Sequence, residues 1–369
     1  MTATDSQVCT RHGTPTRLTC AACATPICPE CLVRTPVGMK CPEHAEAVPV
    51  PTIKPPRSRK NLLIVVFALM AVVGGGIALV ASLGGSESGD STGPAPVGLP
   101  SPDKIRTPQV AIMDADGANK RLLTNRPLAF DAAPAWSPDG ARIAFESQLD
   151  GKRSIWVMQS NGEGIRRITE GTGSDSAPAW SPDGTRIAFM SDRDGNSEVY
   201  VMNGDGSAVR RLTTQPGQDG YPAWSPDGSR LAFVSDRDGG PKIWTMAPDG
   251  TGASRFLDLP AAAARPAYSR DGKRIAFSTD KDGSPDIYAA NVDGTGLTKL
   301  AASPSADGEP AFSPTGTEIV FASDRDGAPA IYVMAADGSN VRKLTTGPRG
   351  FTPAWSPDGK SILYISDAG

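Results

Sequence analysis

Residues Ala177–Thr213 read APAWSPDGTRIAFMSDRDGNSEVYVMNGDGSAVRRLT, and copies of this stretch fill the chain from about residue 107 onward. Each copy carries a Pro-Ala-aromatic triplet, and successive triplets start 44, 44, 44, 44 and 43 residues apart. The triplets begin at Pro134, Pro178, Pro222, Pro266, Pro310 and Pro353. A repeat of this length predicts a propeller or a solenoid.

Each copy contains four short apolar runs separated by turns rich in Gly and Asp. In the second copy the runs are Pro178–Ser181, Arg186–Met190, Glu198–Met202 and Arg210–Thr213. Asp-Gly favours tight turns because Gly accepts a positive φ and Asp can hydrogen-bond its own turn. Four short strands joined by such turns are typical of an antiparallel propeller blade.

Large apolar side chains recur at fixed places in the first three runs of the copies. We predict that they form the core, because a blade can bury its faces only against its two neighbours. They are Trp136, Trp180, Trp224, Tyr268, Phe312 and Trp355 in the first run, Phe145, Phe189, Phe233, Phe277, Phe321 and Tyr364 in the second, and Trp156, Tyr200, Trp244, Tyr288 and Tyr332 in the third.

The two ends of the repeat array complement each other. The last copy supplies two strands within residues 353–366, and residues 109–124 match the third and fourth runs that it lacks. Five complete blades and one shared blade predict an all-β, six-bladed propeller over residues 107–369. Closing the ring in this way removes free sheet edges.

The SPDG turn, the SDRDG loop and the closing RRLT resemble the WD-like repeats of the TolB-type six-bladed β-propeller. The resemblance covers about 260 of the 369 residues. It implies the fold but not one function, because similar propellers serve as binding platforms, as gates on peptidases and as carbohydrate lyases.

The first 48 residues have a different composition, since all six Cys and both His precede residue 45. They form four pairs with two residues between the members, which can supply two structural, tetrahedral zinc sites. The alternative, a three-disulfide framework, leaves both His unexplained. The spacing resembles a B-box-type zinc finger, which implies cross-brace pairing, while sequential pairing stays open. The resemblance assigns Cys9, His12, Cys28 and Cys31 to one ion and Cys20, Cys23, Cys41 and His44 to the other.

A membrane segment is predicted between the two folded parts. Residues 62–83 carry no charge and span about 33 Å as a helix, enough for a hydrocarbon layer of about 30 Å. The basic, Pro-rich segment 49–61 precedes it, whereas residues 84–106 form a flexible linker rich in Gly, Ser and Pro. The positive-inside rule therefore predicts a single-pass membrane protein with a cytoplasmic zinc module and an extracytoplasmic propeller. Gly74, Ala78 and Ser82 could pack two such helices into a dimer.

Residues that depart from the repeat indicate where function can reside. Just before the triplets the six blades offer different side chains, and Tyr221, Arg265 and Glu309 come from consecutive blades. We expect these three at the mouth of the central channel, where they can form a ligand site. The alternative is that Arg265 and Glu309 merely form an ion pair in water, worth under about 1 kcal/mol. Arg270 in place of Pro and Thr315 in place of Asp are interpreted as drift.

The recurring SDRDG aspartates admit two interpretations, a turn held by side-chain hydrogen bonds and a calcium loop, of which the turn is favoured. They include Asp192, Asp236, Asp280, Asp324 and Asp367.

Two classes of function fit the sequence. The favoured one is a non-enzymatic module that binds a protein or cell-envelope ligand. The alternative is an extracytoplasmic enzyme acting on polysaccharide, a lyase or hydrolase. The propeller has no His and no Cys, which excludes Ser-His-Asp and Cys-His catalysis. The net charge of −3 lacks the basic excess expected of a nucleic-acid partner.

Overall fold

The computed structural model describes residues 107–367 except 127, 150 and 302, and before them only residues 7–8, 15–16, 33–35 and 38–40. The described residues belong to two compact units. In the first, β1 (Gln7–Val8) pairs with β2 (Pro15–Thr16), and β3 (Val33–Thr35) pairs with β4 (Gly38–Lys40), both antiparallel. The eight predicted zinc ligands lie outside the described residues, so the zinc module stays a prediction.

The second unit holds six four-stranded antiparallel sheets, as the repeat predicts. Strands β5 (Gln109–Asp114) and β6 (Arg121–Leu122) come first in the chain. Blades 1 to 5 then follow in order, each from its innermost to its outermost strand. They comprise β7 to β10 (Phe130–Trp136, Arg142–Leu149, Lys152–Gln159, Arg166–Arg167), β11 to β14 (Asp175–Trp180, Arg186–Ser191, Glu198–Asn203, Arg210–Arg211), β15 to β18 (Asp219–Trp224, Leu231–Ser235, Lys242–Met246, Ser254–Arg255), β19 to β22 (Ala263–Tyr268, Arg274–Thr279, Asp286–Asn291, Thr298–Ala301) and β23 to β26 (Asp307–Phe312, Glu318–Ser323, Ala330–Ala335, Arg342–Lys343).

The ring closes through the sixth blade, which both ends of the repeat array build. Strands β27 (Gly350–Trp355) and β28 (Ser361–Ser366) form its inner half, and β28 pairs with β5 over six residues, from Ser361 against Asp114 to Ser366 against Gln109. The predicted closure is therefore confirmed. All regular elements among the described residues are strands, and no helix among them is long and apolar enough to cross a membrane. The predicted membrane helix 62–83 lies outside the described residues.

The core consists of six apolar clusters, each shared by two neighbouring blades. Phe233 of blade 3, for example, is 0% exposed and lies in one cluster with Val199 and Val201 of blade 2. The aromatic residues of the second run are all buried, and those of the first and third runs are buried or half-buried. The predicted core is thus confirmed, and it is circular because every cluster joins one blade to the next.

The SDRDG loops hold strands together through buried ion pairs. The guanidinium of Arg237 lies 2.6 Å from the Asp219 carboxylate and 4.6 Å from the centre of the Trp244 ring. The first Asp of the loop, Asp236, accepts the backbone N–H of Gln218 at 2.6 Å. Equivalent backbone hydrogen bonds form in four other blades, which supports the turn interpretation of these aspartates.

The SPDG turns carry aspartates that are stronger acids than usual. Hydrogen bonds from Ser181 to Asp183 and from Ser225 to Asp227 lower the pKa of each carboxyl to about 2. Their unfolded pKa is about 3.9, so the unfolded chain binds more protons between these values. The stabilisation is therefore complete above pH 4 and lost as the pH falls toward 2.

We accordingly expect the melting temperature to fall more steeply between pH 4 and pH 2.5 in the wild type than in the double variant Asp183→Asn/Asp227→Asn. Circular dichroism melts at both pH values measure this difference. Equal pH slopes for the two proteins would contradict the assignment.

Candidate functional site at the channel mouth

One residue in each innermost strand has an unusual backbone conformation. The φ angles of these residues lie between 45° and 58°, a left-handed region uncommon for residues that carry a β-carbon. Each lies at a β-bulge, where the register to the second strand shifts, and each precedes a proline, which disfavours helical backbone. Bulges re-aim a side chain out of the regular pleat. The six residues are Ala133, Ala177, Tyr221, Arg265, Glu309 and Thr352.

These six residues and the six prolines after them line one cavity of about 150 Å³ on the axis of the ring. Ala133 and Ala177 leave space in blades 1 and 2, whereas the next three blades contribute long side chains. The cavity is smaller than a typical drug-sized pocket. It admits a group of the size of one side chain.

Tyr221, Arg265 and Glu309 contact one another in sequence around the cavity. Arg265 Cζ lies 4.3 Å from the centre of the Tyr221 ring, and Arg265 Nη2 lies 3.2 Å from Glu309 Oε1. Glu309 Oε2 also accepts the backbone N–H of Thr352 at 2.6 Å. The Arg265 and Glu309 side chains are only 26% and 15% exposed. The structure therefore brings the three residues together, and the ion pair is largely shielded from water.

Hydrogen-bonding capacity remains unused at this mouth. Tyr221 Oη and Thr352 Oγ1 are buried and have no hydrogen-bond partner among the described residues. Buried polar groups are normally bonded, so such atoms need an explanation. Burial raises the pKa of Tyr221, which keeps its hydroxyl protonated and able to donate. Burial alone would lower the pKa of Arg265, but Glu309, Tyr221 and Glu146 together outweigh this effect electrostatically, Glu309 most of all, and the pKa is raised.

The sequence analysis missed two charged residues on the opposite side of the mouth. Glu146 Oε2 accepts the backbone N–H of Ala177 at 2.9 Å, and Arg153 Nε lies 3.9 Å from Glu146 Oε1. The charge of Glu146 raises the pKa of the Tyr221 hydroxyl, and the charge of Arg153 lowers it. In the other blades, smaller or apolar residues occupy the position of Glu146. Glu146 is therefore recognisable in the sequence as a departure from the repeat in the second strand. The residues at this position in the other blades are Met190, Val234, Ser278, Ala322 and Ile365.

No group of three or more His, Cys, Asp or Glu residues that could hold a metal ion occurs in the part of the chain that the structure describes. The SDRDG aspartates are instead engaged with backbone N–H groups. A calcium role for them therefore has no support from their geometry.

Fold and site together define a six-bladed propeller with a charged, partly unsatisfied channel mouth. Comparison with known proteins gives the family. The sequence matches the TolB beta propeller domain over residues 100–257 and 250–369. The chain belongs to this family.

Solved structures agree on the fold. TolB from Agrobacterium tumefaciens superposes with a TM-score of 0.62 and 25% identity, covering 70% of this chain and 98% of its own. TolB from Acinetobacter baumannii gives a TM-score of 0.59 at 24% identity, with coverages of 68% and 66%. A curated relative, a TolB homolog from Protochlamydia amoebophila, is 45% identical over 40 residues, which is 11% of this chain and 8% of that protein.

Proposed function

We propose that this protein is a non-enzymatic binding module that takes a projecting group of a protein or cell-envelope ligand into the channel mouth. The observation that carries the proposal is the shielded cluster of Tyr221, Arg265 and Glu309. In blades 1 and 2, alanine occupies the same strained backbone position, and these blades form without a long side chain there. The cluster is therefore unnecessary for the blade itself.

The polarity of the mouth indicates which group it would accept. Arg265 contributes a cation that one carboxylate contacts at 3.2 Å, and a guanidinium has five N–H donors. The Tyr221 and Thr352 hydroxyls add two donors without partners among the described residues. Such a donor-rich mouth favours a ligand group that accepts several hydrogen bonds, for example a carboxylate. The cavity volume limits what enters to one such group, so most of the interface would lie on the rim.

Catalysis is less well supported than binding. A lyase or hydrolase acting on polysaccharide needs a base near neutral pH, yet the pKa of Tyr221 is raised. The two carboxylates whose charges act on Tyr221, those of Glu146 and Glu309, each accept a backbone hydrogen bond and lie beside an arginine. These contacts favour a fixed, charge-balanced recognition site.

We also propose the membrane arrangement that the sequence predicts. Residues 62–83 would anchor the protein, residues 1–48 would hold two structural zinc ions in the cytoplasm, and the linker 84–106 would present the propeller outside. The basic residues of segment 49–61 support this orientation. Dimerisation through Gly74, Ala78 and Ser82 would cluster propellers on the membrane.

The test is in-cell cross-linking with co-purification and mass spectrometry. The wild type is compared with the triple variant Tyr221→Ala/Arg265→Ala/Glu309→Ala, after circular dichroism has shown that both are folded. A triple alanine variant of Glu163, Arg166 and Glu170, which are exposed on blade 1, is the matched control. We expect a partner that the wild type and the control capture and the channel variant loses. Capture of the same partners by all three proteins would contradict the proposal.

A further inference from the structure

The SPDG turns form a second ring of contacts, separate from the channel mouth. In five of the six blade pairs the proline of one turn lies against the glycine of the next. A β-carbon built on Gly184, for example, would lie 3.3 Å from the Pro138 ring, and one on Gly272 would lie 3.8 Å from Pro226. The remaining contacts are Pro182 with Gly228, Pro314 with Gly359 and Pro357 with Gly140.

This ring is interrupted between blades 4 and 5. Arg270 stands where the other turns have proline, and a β-carbon on Gly316 would meet no described residue within 4 Å. The turn itself does not need the proline, because Gly272 N–H still donates to Ser269 O at 2.9 Å. The consequence appears between the turns, where a cleft of about 220 Å³ opens. Ser269, Arg270, Asp271, Arg274, Thr315 and Gly316 line it.

The second departure from the repeat lies in the same cleft. Thr315 replaces the aspartate of the blade 5 turn and bonds to the hydroxyls of Ser313 and Thr317. Two arginines and one aspartate therefore line this cleft, whereas the equivalent residues between blades 3 and 4 are one arginine and two aspartates. The two substitutions together reverse the sign of the local charge.

The two arginines differ in how they are held. Arg274 is fixed, because its guanidinium donates to Ala336 O at 3.3 Å and lies 5.5 Å from the centre of the Phe312 ring. Arg270 is exposed and makes no hydrogen bond or ion pair with any residue that the structure describes. The Asp271 carboxylate is hydrogen-bonded within its own turn, where the Ser269 hydroxyl and the Lys273 backbone N–H donate to it. With two arginines and one aspartate, the cleft therefore carries a net positive charge.

We infer that the cleft between the turns of blades 4 and 5 binds an oxyanion, a phosphate or a carboxylate, with Arg274 as the fixed contact and Arg270 closing over the ligand. Guanidinium groups bind such anions through paired, charge-assisted hydrogen bonds. The site is separate from the channel mouth, since Arg270 lies in the turn that follows β19, and no residue that lines the cleft also lines the channel cavity.

Isothermal titration calorimetry on the full-length protein at low salt tests this inference with two probes, inorganic phosphate and a hexaglutamate peptide. Arg270→Pro restores the repeat sequence, so it should fold with an unchanged or higher melting temperature and bind the probe at least tenfold more weakly. Thr315→Asp, which returns a carboxylate to the cleft, should also weaken binding. Arg166→Ala, at an exposed arginine of blade 1, should bind as the wild type does.

The two probes distinguish the sources of the anion. Binding of phosphate alone indicates a free small oxyanion, whereas tighter binding of the peptide, displaced by phosphate, indicates an acidic segment of a partner protein. Either result supports the site, provided that Arg270→Pro abolishes or weakens the binding. The inference is overturned if the wild type binds neither probe, or if Arg270→Pro binds as tightly as the wild type. The triple alanine variant of the channel mouth should bind each probe as the wild type does, which separates this site from the proposed function.

Discussion

A chain that begins at Leu128 is expected to lose the folded propeller completely, whereas one that begins at Thr107 is expected to fold. The first lacks β5, which pairs with β28, and β6, which pairs with β5, and these two strands complete the sixth blade. Val110 and Met113 of β5 are at most 1% exposed and belong to the two apolar clusters that join blade 6 to blades 1 and 5. Removing them opens the ring and exposes a sheet edge, which favours aggregation.

Thermal melting followed by circular dichroism measures the difference between the two chains. The shorter chain should show no cooperative transition, and the longer one should melt as a single unit. A synthetic peptide of residues 107–127 should restore a transition to the shorter chain. A cooperative melt of that chain without the peptide would contradict closure through the shared blade.

Arg237→Ala is expected to destabilise the propeller by about 3–5 kcal/mol, because removing one partner of a buried ion pair leaves the other charge uncompensated. The partner carboxylate of Asp219 is 1% exposed, and one of its oxygens has no hydrogen bond among the described residues. Burial already raises the pKa of Asp219. Urea denaturation of the variant and the wild type gives the difference in the free energy of unfolding.

Blade 4 provides the matched control, because it has Lys281 in place of the arginine and Ala263 in place of the buried aspartate. Among the described residues, Lys281 forms an ion pair only with Asp282, and both side chains are about 40% exposed. Lys281→Ala should therefore change the free energy of unfolding by less than about 1 kcal/mol. Equal effects of the two substitutions would show that the buried aspartate is not the cause.

Much of the fold follows from the sequence because the repeat shows each local signal several times. The second and third strands of blade 2 begin at Arg186 and Glu198, as predicted, and the shared sixth blade follows from the alignment of the two ends. The first strand begins at Asp175, three residues before the predicted start at Pro178. Proline argues against a regular strand, and only the bulge at Ala177 lets the strand continue through it.

The candidate site is harder to predict from the sequence than the fold. Tyr221, Arg265 and Glu309 stand out because their position differs from blade to blade while its neighbours stay fixed. Glu146 and Arg153 reach the same mouth from the second and third strands of blade 1, and only the closed ring brings them opposite the other three. Arg270 and Thr315, interpreted singly as drift, line one cleft for the same reason. Contacts between repeats depend on the curvature of the ring, which no single copy encodes.

The most direct test of the channel mouth as a binding site is photo-cross-linking in cells from position 221. Replacing Tyr221 with the photoreactive p-benzoylphenylalanine keeps an aromatic ring beside Arg265, and Val209, which is 40% exposed, is the control position. We predict an adduct formed from position 221, absent from position 209 and lost when Arg265→Ala is added. No adduct from position 221, or the same adduct from both positions, would contradict the account.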